Sequence, residues 1–256
     1  MNYFDPISAA TRYAKGRPDF HSNTIGRIQD YLFHGKRVGR ALDIACGTGL
    51  STKALLDIAD EVYGTDISES MLALAHAPDK IRYSMAAAEQ QPFDDHFFEL
   101  ITVSSGVHWF DIDRFLAESC RLLKSRGWLT IYENHFIAEM EGQENFTNWF
   151  PDVYLKQFPS PPRNNSYDWS DDNLRQMGLQ LIHEDRFKNQ VEMCKEELIL
   201  YFTTQSNIIA AVEDGRVTYE EAEAWLRDEL SFFFDKESDR RQINFGNWIR
   251  YIQRLD

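Results

Sequence analysis

The stretch RALDIACGTG, residues 40–49, places an apolar run ending near an aspartate directly before a short loop with two glycines. Such a run reads as a buried strand, and the loop behind it exposes main chain: lacking a Cβ, Gly47 and Gly49 let a ligand meet the peptide groups without steric interference. In a doubly wound sheet, ligands bind beyond the carboxyl ends of the strands, which is where this loop falls.

Working outward, short apolar runs alternate with amphipathic segments from Arg40 to about His135. The runs at 40–45, 61–67, 80–85, 98–105 and 127–135 predict strands. LSTKALLDIA, SESMLALAHA and DIDRFLAESCRLLK between them predict helices, the last with Asp111 able to cap its first turn. Strands joined by helical crossovers make a doubly wound α/β sheet. After residue 135 the alternation stops, and residues 136–170 mix aromatics with Pro and Asn as an inserted helical cap would. SDDNLRQM then predicts a capped helix, LQLIHEDRF and NQVEMCK two strands, and ELILYFTTQSNIIAAV and TYEEAEAWLRDELSFFF amphipathic helices. RQINFGNWIRYIQ predicts a strand returning to the sheet. The expected organisation is one domain over 1–256, with a ligand-binding core at 40–135 and cap or acceptor-pocket elements at 136–170 and about 196–235.

With 256 residues, 43% hydrophobic and 14% aromatic, the chain can bury a full core. Its formal net charge of −14 opposes a phosphate backbone, because nonspecific nucleic-acid binding draws on Lys and Arg. Cys46, Cys120 and Cys194 stand far apart, without CxxC or HExxH spacing, so neither a disulfide framework nor a metal site is expected. The N-terminal stretch has no apolar core of signal-peptide length, and no window approaches the roughly 20 apolar residues that span a bilayer. The expectation is a cytoplasmic protein that does not insert into membranes.

Asp66 ends the second predicted strand in YGTD. An ionised carboxylate only accepts hydrogen bonds, so its two oxygens can take both donors of a ribose diol. Capping the helix that starts near Ser68 is the simpler role for Asp66, and the two are compatible.

At this point the sequence resembles the class I S-adenosylmethionine-dependent methyltransferases, in particular the small-molecule group of the ubiquinone-biosynthesis and trans-aconitate methyltransferases. LDIACGTG is similar to that family's first motif, with Ala45 where its first glycine stands, a replacement expected to keep a negative φ. AAAEQQPFDDHFFELITVSS resembles the segment leading into the fourth strand, SSGVHWFD the segment after it, and YAKGRPDF a stretch before the sheet. The resemblance implies a mostly parallel, seven-stranded Rossmann-like fold with S-adenosylmethionine as cofactor and S-adenosylhomocysteine as its product. It implies that Asp43 and the backbone of Ala45, Cys46, Gly47, Thr48 and Gly49 hold the methionine part. Asp66 would hold the ribose, and Ile67, Met71, Ala88, Glu89 and Ser104 would surround the rest of the nucleoside. Many relatives carry an aspartate for the adenine amino group where this chain has Ala87. His108 is then the candidate general base, with Trp109 beside it on the acceptor's wall, while Tyr13 and Arg17 would lie over the cofactor. A carboxylate acceptor would need no base, and an arginine, Arg17 or Arg163, would orient it. The aromatics from Phe136 to Trp169, Trp149, Phe150 and Tyr154 among them, would roof the acceptor or simply pack the cap.

Three rival readings use similar architecture. A nicotinamide dehydrogenase needs a third small residue in its glycine loop, where this chain has Thr52. Nucleic-acid amino-methyltransferases carry an (N/D)PPY element where this chain reads SSGVHWF. A protein that binds the nucleoside without turnover satisfies the same motifs.

Overall fold

In the computed structural model, residues 6–75, 78–162 and 166–256 are described. Seven strands, β1 (Val38–Ile44), β2 (Ala59–Asp66), β3 (Ile81–Met85), β4 (Phe98–Ser104), β5 (Leu123–Met140), β6 (Leu179–Cys194) and β7 (Arg240–Arg254), form one sheet in the order β3-β2-β1-β4-β5-β7-β6. The helices are α1 (Ile7–Gly16), α2 (His21–Ile28), α3 (Leu50–Ala54), α4 (Glu69–Leu72), α5 (Ile112–Leu122), α6 (Phe146–Trp149), α7 (Leu155–Gln157), α8 (Asp171–Gln176), α9 (Lys195–Thr203), α10 (Ser206–Glu213) and α11 (Tyr219–Leu230).

β1 to β5 pair in parallel, with Asp43 opposite both Gly64 and Thr102, and Ser104 opposite Tyr132. β7 runs antiparallel to its neighbours. Gln253 reaches the Arg126 carbonyl while the Glu141 N–H reaches the Gln242 carbonyl on the β5 side, and the Leu255 N–H reaches the Gly178 carbonyl on the β6 side. This is the mostly parallel, doubly wound sheet expected from the alternation.

The chain divides into two compact units. The first holds Asp19–Asn134, the described residues from 166 to 187, and Asn247–Asp256. Apolar side chains fill both faces of its sheet. Leu42, Ile44, Ile101, Val103, Leu129 and Ile131 pack with Phe115 and Leu116 of α5 on one side. Ala41, Val62, Leu100 and Tyr132 pack with Ile25 and Ile28 of α2 and Leu55 on the other. Burial on both faces explains why these strands read as continuous apolar runs instead of alternating. Asp111 caps α5 by accepting from the Arg114 N–H, as its position before the periodic run predicted.

The second unit holds the described residues up to Pro18, His135–Pro162 and Lys188–Gly246. Its core is aromatic: Phe146, Tyr154, Phe158, Phe202 and Phe245 are fully buried, and Trp149 stacks on Phe146 with ring centres 5.4 Å apart. The Trp149 indole N–H donates to Glu229 on α11 at 2.9 Å, which satisfies the one polar group this large side chain brings inside.

Several boundaries differ from those read in the sequence. β5 continues to Met140, so the insertion begins later than residue 136, and the stretch up to Pro162 belongs to a different unit from Ser166–Trp169. LQLIHEDRF and NQVEMCK are one unbroken strand, β6, because Lys188 and Asn189 stay extended inside it. The predicted helix ELILYFTTQSNIIAAV is two, α9 and α10, broken where the Thr204 and Gln205 N–H groups turn back to Tyr201 and Phe202. SESMLALAHA supplies only the short α4, and its His76 and Ala77 lie outside the described residues. Among the described residues, no helix is long and apolar enough to cross a membrane.

Candidate cofactor site at the carboxyl ends of strands 1, 2 and 4

The glycine loop of residues 45–49 is held from beneath by Asp43, which has no exposed surface. One carboxylate oxygen accepts from Ser51 Oγ at 2.6 Å and Thr52 Oγ1 at 2.7 Å, both on α3, and the other from Thr102 Oγ1 on β4 at 3.0 Å. Three hydroxyls thus pin strand 1, the helix after the loop and strand 4 to a single side chain. Burial pushes the Asp43 carboxyl up to about 6; the three hydroxyl bonds work against that shift and the charge of Asp66 adds to it. Asp43, which the resemblance assigns to the methionine part, has no exposed surface and is bonded to three of the protein's own hydroxyls.

The loop backbone is left-handed at three positions: φ is 56° at Ala45, 55° at Gly47 and 81° at Gly49. A Cβ on Gly49 would lie 2.2 Å from the Tyr83 hydroxyl, so only glycine fits there. Ala45 departs from the expected negative φ, because the chain leaves β1 through a turn that its Cβ does not favour. Ser105, just after β4, is left-handed as well at 55°. Two non-glycine residues in this region, at the ends of adjacent parallel strands, concentrate strain at one edge of the sheet. Cys46 is buried and its thiol is held well above its ordinary pKa by burial, with Asp43 and Asp66 adding to the effect, so it stays protonated. Thr48 is 8% exposed, and its hydroxyl has no hydrogen-bond partner among the described residues.

Asp66 sits across from this loop. One of its oxygens accepts from the Gly47 N–H and the other from the Ser68 N–H, both at 2.8 Å. Burial raises its pKa, against those backbone bonds. An ionised carboxylate has room for about four donors, so accepting capacity is left beside the backbone bonds from Ser68, Gly47 and Ile67. Ser68, and not Asp66, caps α4: its hydroxyl accepts from the Met71 N–H at 3.3 Å. Met71 is buried, whereas Ile67 beside Asp66 is 63% exposed, an apolar surface next to a half-buried carboxylate.

The other predicted residues gather at the same edge. The Ala86 N–H bonds to the Asp66 carbonyl at 3.0 Å, which brings the buried Ala88 to the end of β2. Glu89 is engaged: its carboxylate accepts from the Asp111 N–H at 2.8 Å and ties the AAAE loop to the start of α5. Ser104 ends β4, and a short turn at Val107–Trp109 carries His108 and Trp109, whose rings lie 4.8 Å apart and of which Trp109 is 42% exposed. Tyr13 and Arg17 belong to the second unit, and Arg163 lies outside the described residues. Ser51, Thr52 and Thr102 escaped sequence reading; hydroxyl residues in the first turn of the helix after such a loop are the only trace they leave. Thr52 occupies the third position of the dehydrogenase pattern, where a hydroxyl bonded to Asp43 takes the place of a residue chosen for smallness.

The family of methyltransferase domains matches residues 42–131. A methyltransferase-class protein of Dictyostelium discoideum is 30% identical over 125 residues, covering 49% of this chain and 47% of its own length, so the chain spans about half of that relative. The ubiquinone/menaquinone biosynthesis C-methyltransferase of Burkholderia mallei is 27% identical over 191 residues, covering 67% of this chain and 73% of that enzyme. Among solved structures, a protein of Anaeromyxobacter dehalogenans described as a type II methyltransferase superposes with a TM-score of 0.67 at 18% identity, over 84% of this chain and 89% of the other. That likeness bears on the fold.

Two outcomes follow from this geometry. The folded state holds the Asp43 proton more tightly than the unfolded chain does, since its pKa rises from 3.8 to about 6. Its contribution to stability therefore falls as pH rises between those values, by about 3 kcal/mol in all. Asp43→Asn cannot titrate, so urea unfolding will show the wild type losing about that much relative to the variant between pH 4 and pH 7; a constant difference would contradict the buried carboxylate. Ala45→Gly relieves a left-handed alanine costing about 1–2 kcal/mol against a glycine entropy cost of about 0.5–1 kcal/mol, so thermal unfolding will show a neutral to slightly stabilised protein.

Proposed function

The chain belongs to the class I S-adenosylmethionine-dependent methyltransferases, and we propose that its first unit binds S-adenosylmethionine for methyl transfer to a small-molecule acceptor. The observation that carries this reading is the pair of bonds tying Asp66 to the Gly47 and Ser68 N–H groups, which fixes an acceptor-only carboxylate beside the glycine loop. A vicinal diol supplies two donors to such an acceptor. The residues fit the cofactor in other respects: the unpartnered, buried Thr48 hydroxyl and the positive-φ loop face a polar ligand tail, and exposed Ile67 offers an apolar surface to a base. With Ala87 in place of an aspartate, adenine recognition falls to apolar contact and to the backbone around Ala88.

When bound, S-adenosylmethionine supplies an electrophilic methyl group with a neutral sulfide as leaving group. What the chain supplies is alignment. Holding reactants in line recovers entropy that reaches roughly 7–11 kcal/mol in the best intramolecular cases. Asp43 keeps the loop rigid for this purpose, and Asp66 fixes the sugar. His108, beside the exposed Trp109, is the candidate to accept a proton where the acceptor must lose one. The second unit, with α6, α7 and α9 to α11, is the candidate for acceptor selection, and the net charge of −14 favours a small molecule over nucleic acid.

The reading is tested by calorimetry with S-adenosylhomocysteine and by transfer of labelled methyl groups into a metabolite extract. Asp66→Ala removes both acceptors of the diol and is expected to weaken ligand binding about 100-fold, and the wild type to label an organic product. Equal affinity in the variant would overturn the Asp66 assignment. Tight binding without labelled product would favour a protein that binds the nucleoside without turnover.

A further inference from the structure

Gly64 and Gly49 stand on different elements, yet the same side chain fills the space beside both. Thr102, Asp43, Gly64 and Tyr83 lie in one row across β4, β1, β2 and β3, each opposite the next in the parallel register. Residues in such a row share one face of the sheet, so Gly64 leaves a gap between Asp43 and Tyr83. The tyrosine ring occupies that gap: a Cβ on Gly64 would lie 2.6 Å from its Cε1 and 2.7 Å from its Cδ1. Thr52 closes it from the α3 side, with Cγ2 3.1 Å from the same point. Crossing β2 in this way carries the Tyr83 hydroxyl to the glycine loop, where it stands in the place of a Gly49 side chain. Ring and hydroxyl thus have different neighbours: the ring packs on Gly64 and on the core that holds Ala54, Leu55 and Val62, and the hydroxyl meets the loop.

The same hydroxyl extends the chain of bonds around Asp43. Thr52 has one hydroxyl hydrogen, which it donates to Asp43 at 2.7 Å, so its bond with Tyr83 runs the other way, from the Tyr83 O–H to Thr52 Oγ1. Burial holds the Tyr83 hydroxyl above its ordinary pKa, Cys46 and Asp43 add to the shift and the Thr52 bond opposes it, so the phenol keeps its proton and stays a donor. A hydroxyl polarised by such a donor bonds a carboxylate more strongly. Gly49 is where the loop ends: its N–H bonds to the Cys46 carbonyl at 2.9 Å and its carbonyl accepts from the Lys53 N–H at 2.9 Å. Asp66 fixes the loop at Gly47, and Tyr83 meets it two residues on.

We propose that Tyr83 is a positioning residue for the cofactor, acting through Gly49 and Thr52 to hold the far end of the glycine loop while Asp66 holds its middle. This role rests on S-adenosylmethionine binding at the loop, and it makes β3, which supplies none of the cofactor contacts read from the sequence, a determinant of that affinity.

Tyr83→Phe keeps the ring over Gly64 and removes only the hydroxyl. Calorimetry on the full chain with S-adenosylhomocysteine is expected to show binding about tenfold weaker than in the wild type, while the ligand-free melting temperature falls by no more than about 4 °C. The carboxyl carbon of Asp43, identified in NMR spectra by its absence from Asp43→Asn, is expected to titrate at higher pH in Tyr83→Phe, because Thr52 loses the donor that strengthens its own bond to the carboxylate. A tyrosine that only fills space would leave that midpoint where it is. Affinity within about threefold of the wild type, an unmoved Asp43 midpoint, or a larger fall in melting temperature would each overturn the role. A wild type that fails to bind S-adenosylhomocysteine overturns the cofactor reading as well, and is told apart from a variant that binds as tightly as its parent, which overturns the role of Tyr83 alone.

Discussion

The architecture of the first unit turns on a charged group kept out of water. Asp43 has no exposed surface, yet its two oxygens accept from three hydroxyls on two different elements. Burying a carboxylate is costly unless its lone pairs are met, and here they are met by Ser51 and Thr52 in the first turn of α3 and by Thr102 on the neighbouring strand. Removing any of these partners would leave the carboxylate under-satisfied, which makes the loop between Asp43 and Ser51 a closed, rigid arc. The left-handed backbone at Ala45, Gly47 and Gly49 persists because this arc over-determines it.

That rigidity is what lets Asp66 act. Its bond from the Gly47 N–H joins the first and second strand ends through the loop itself, so the spacing between loop backbone and carboxylate is set before any ligand arrives. Preorganisation of this kind lowers the ordering cost of binding. The fold alone does not choose the reaction, since many chemistries share it, and the functional argument rests on the site.

Much of this was legible in the sequence. The five parallel strands and the loop between Asp43 and Ser51 could be read because burial on both faces writes itself as unbroken apolar runs, and because glycines and a strand-terminal acid occupy a short stretch. The place of Asp66 at the end of the second strand was readable for the same local reason. The single long β6 was not: Lys188 and Asn189 look like a turn between two strands, but neighbours distant in sequence hold them extended, Lys188 pairing with Glu139. The break at Thr204 and Gln205 carries no Gly or Pro to announce it. The hydroxyl partners of Asp43 were not legible, because they include Thr102, which pairing of β1 with β4 brings opposite it.

The most direct measurement is a crystal structure with S-adenosylhomocysteine. The account predicts the ribose hydroxyls on the two oxygens of Asp66, the amino-acid tail along the main chain of Gly47 to Gly49, and Asp43 still bonded to Ser51, Thr52 and Thr102. A ligand seated elsewhere, or a ribose turned away from Asp66 with that carboxylate still bonded only to Gly47 and Ser68, would contradict it.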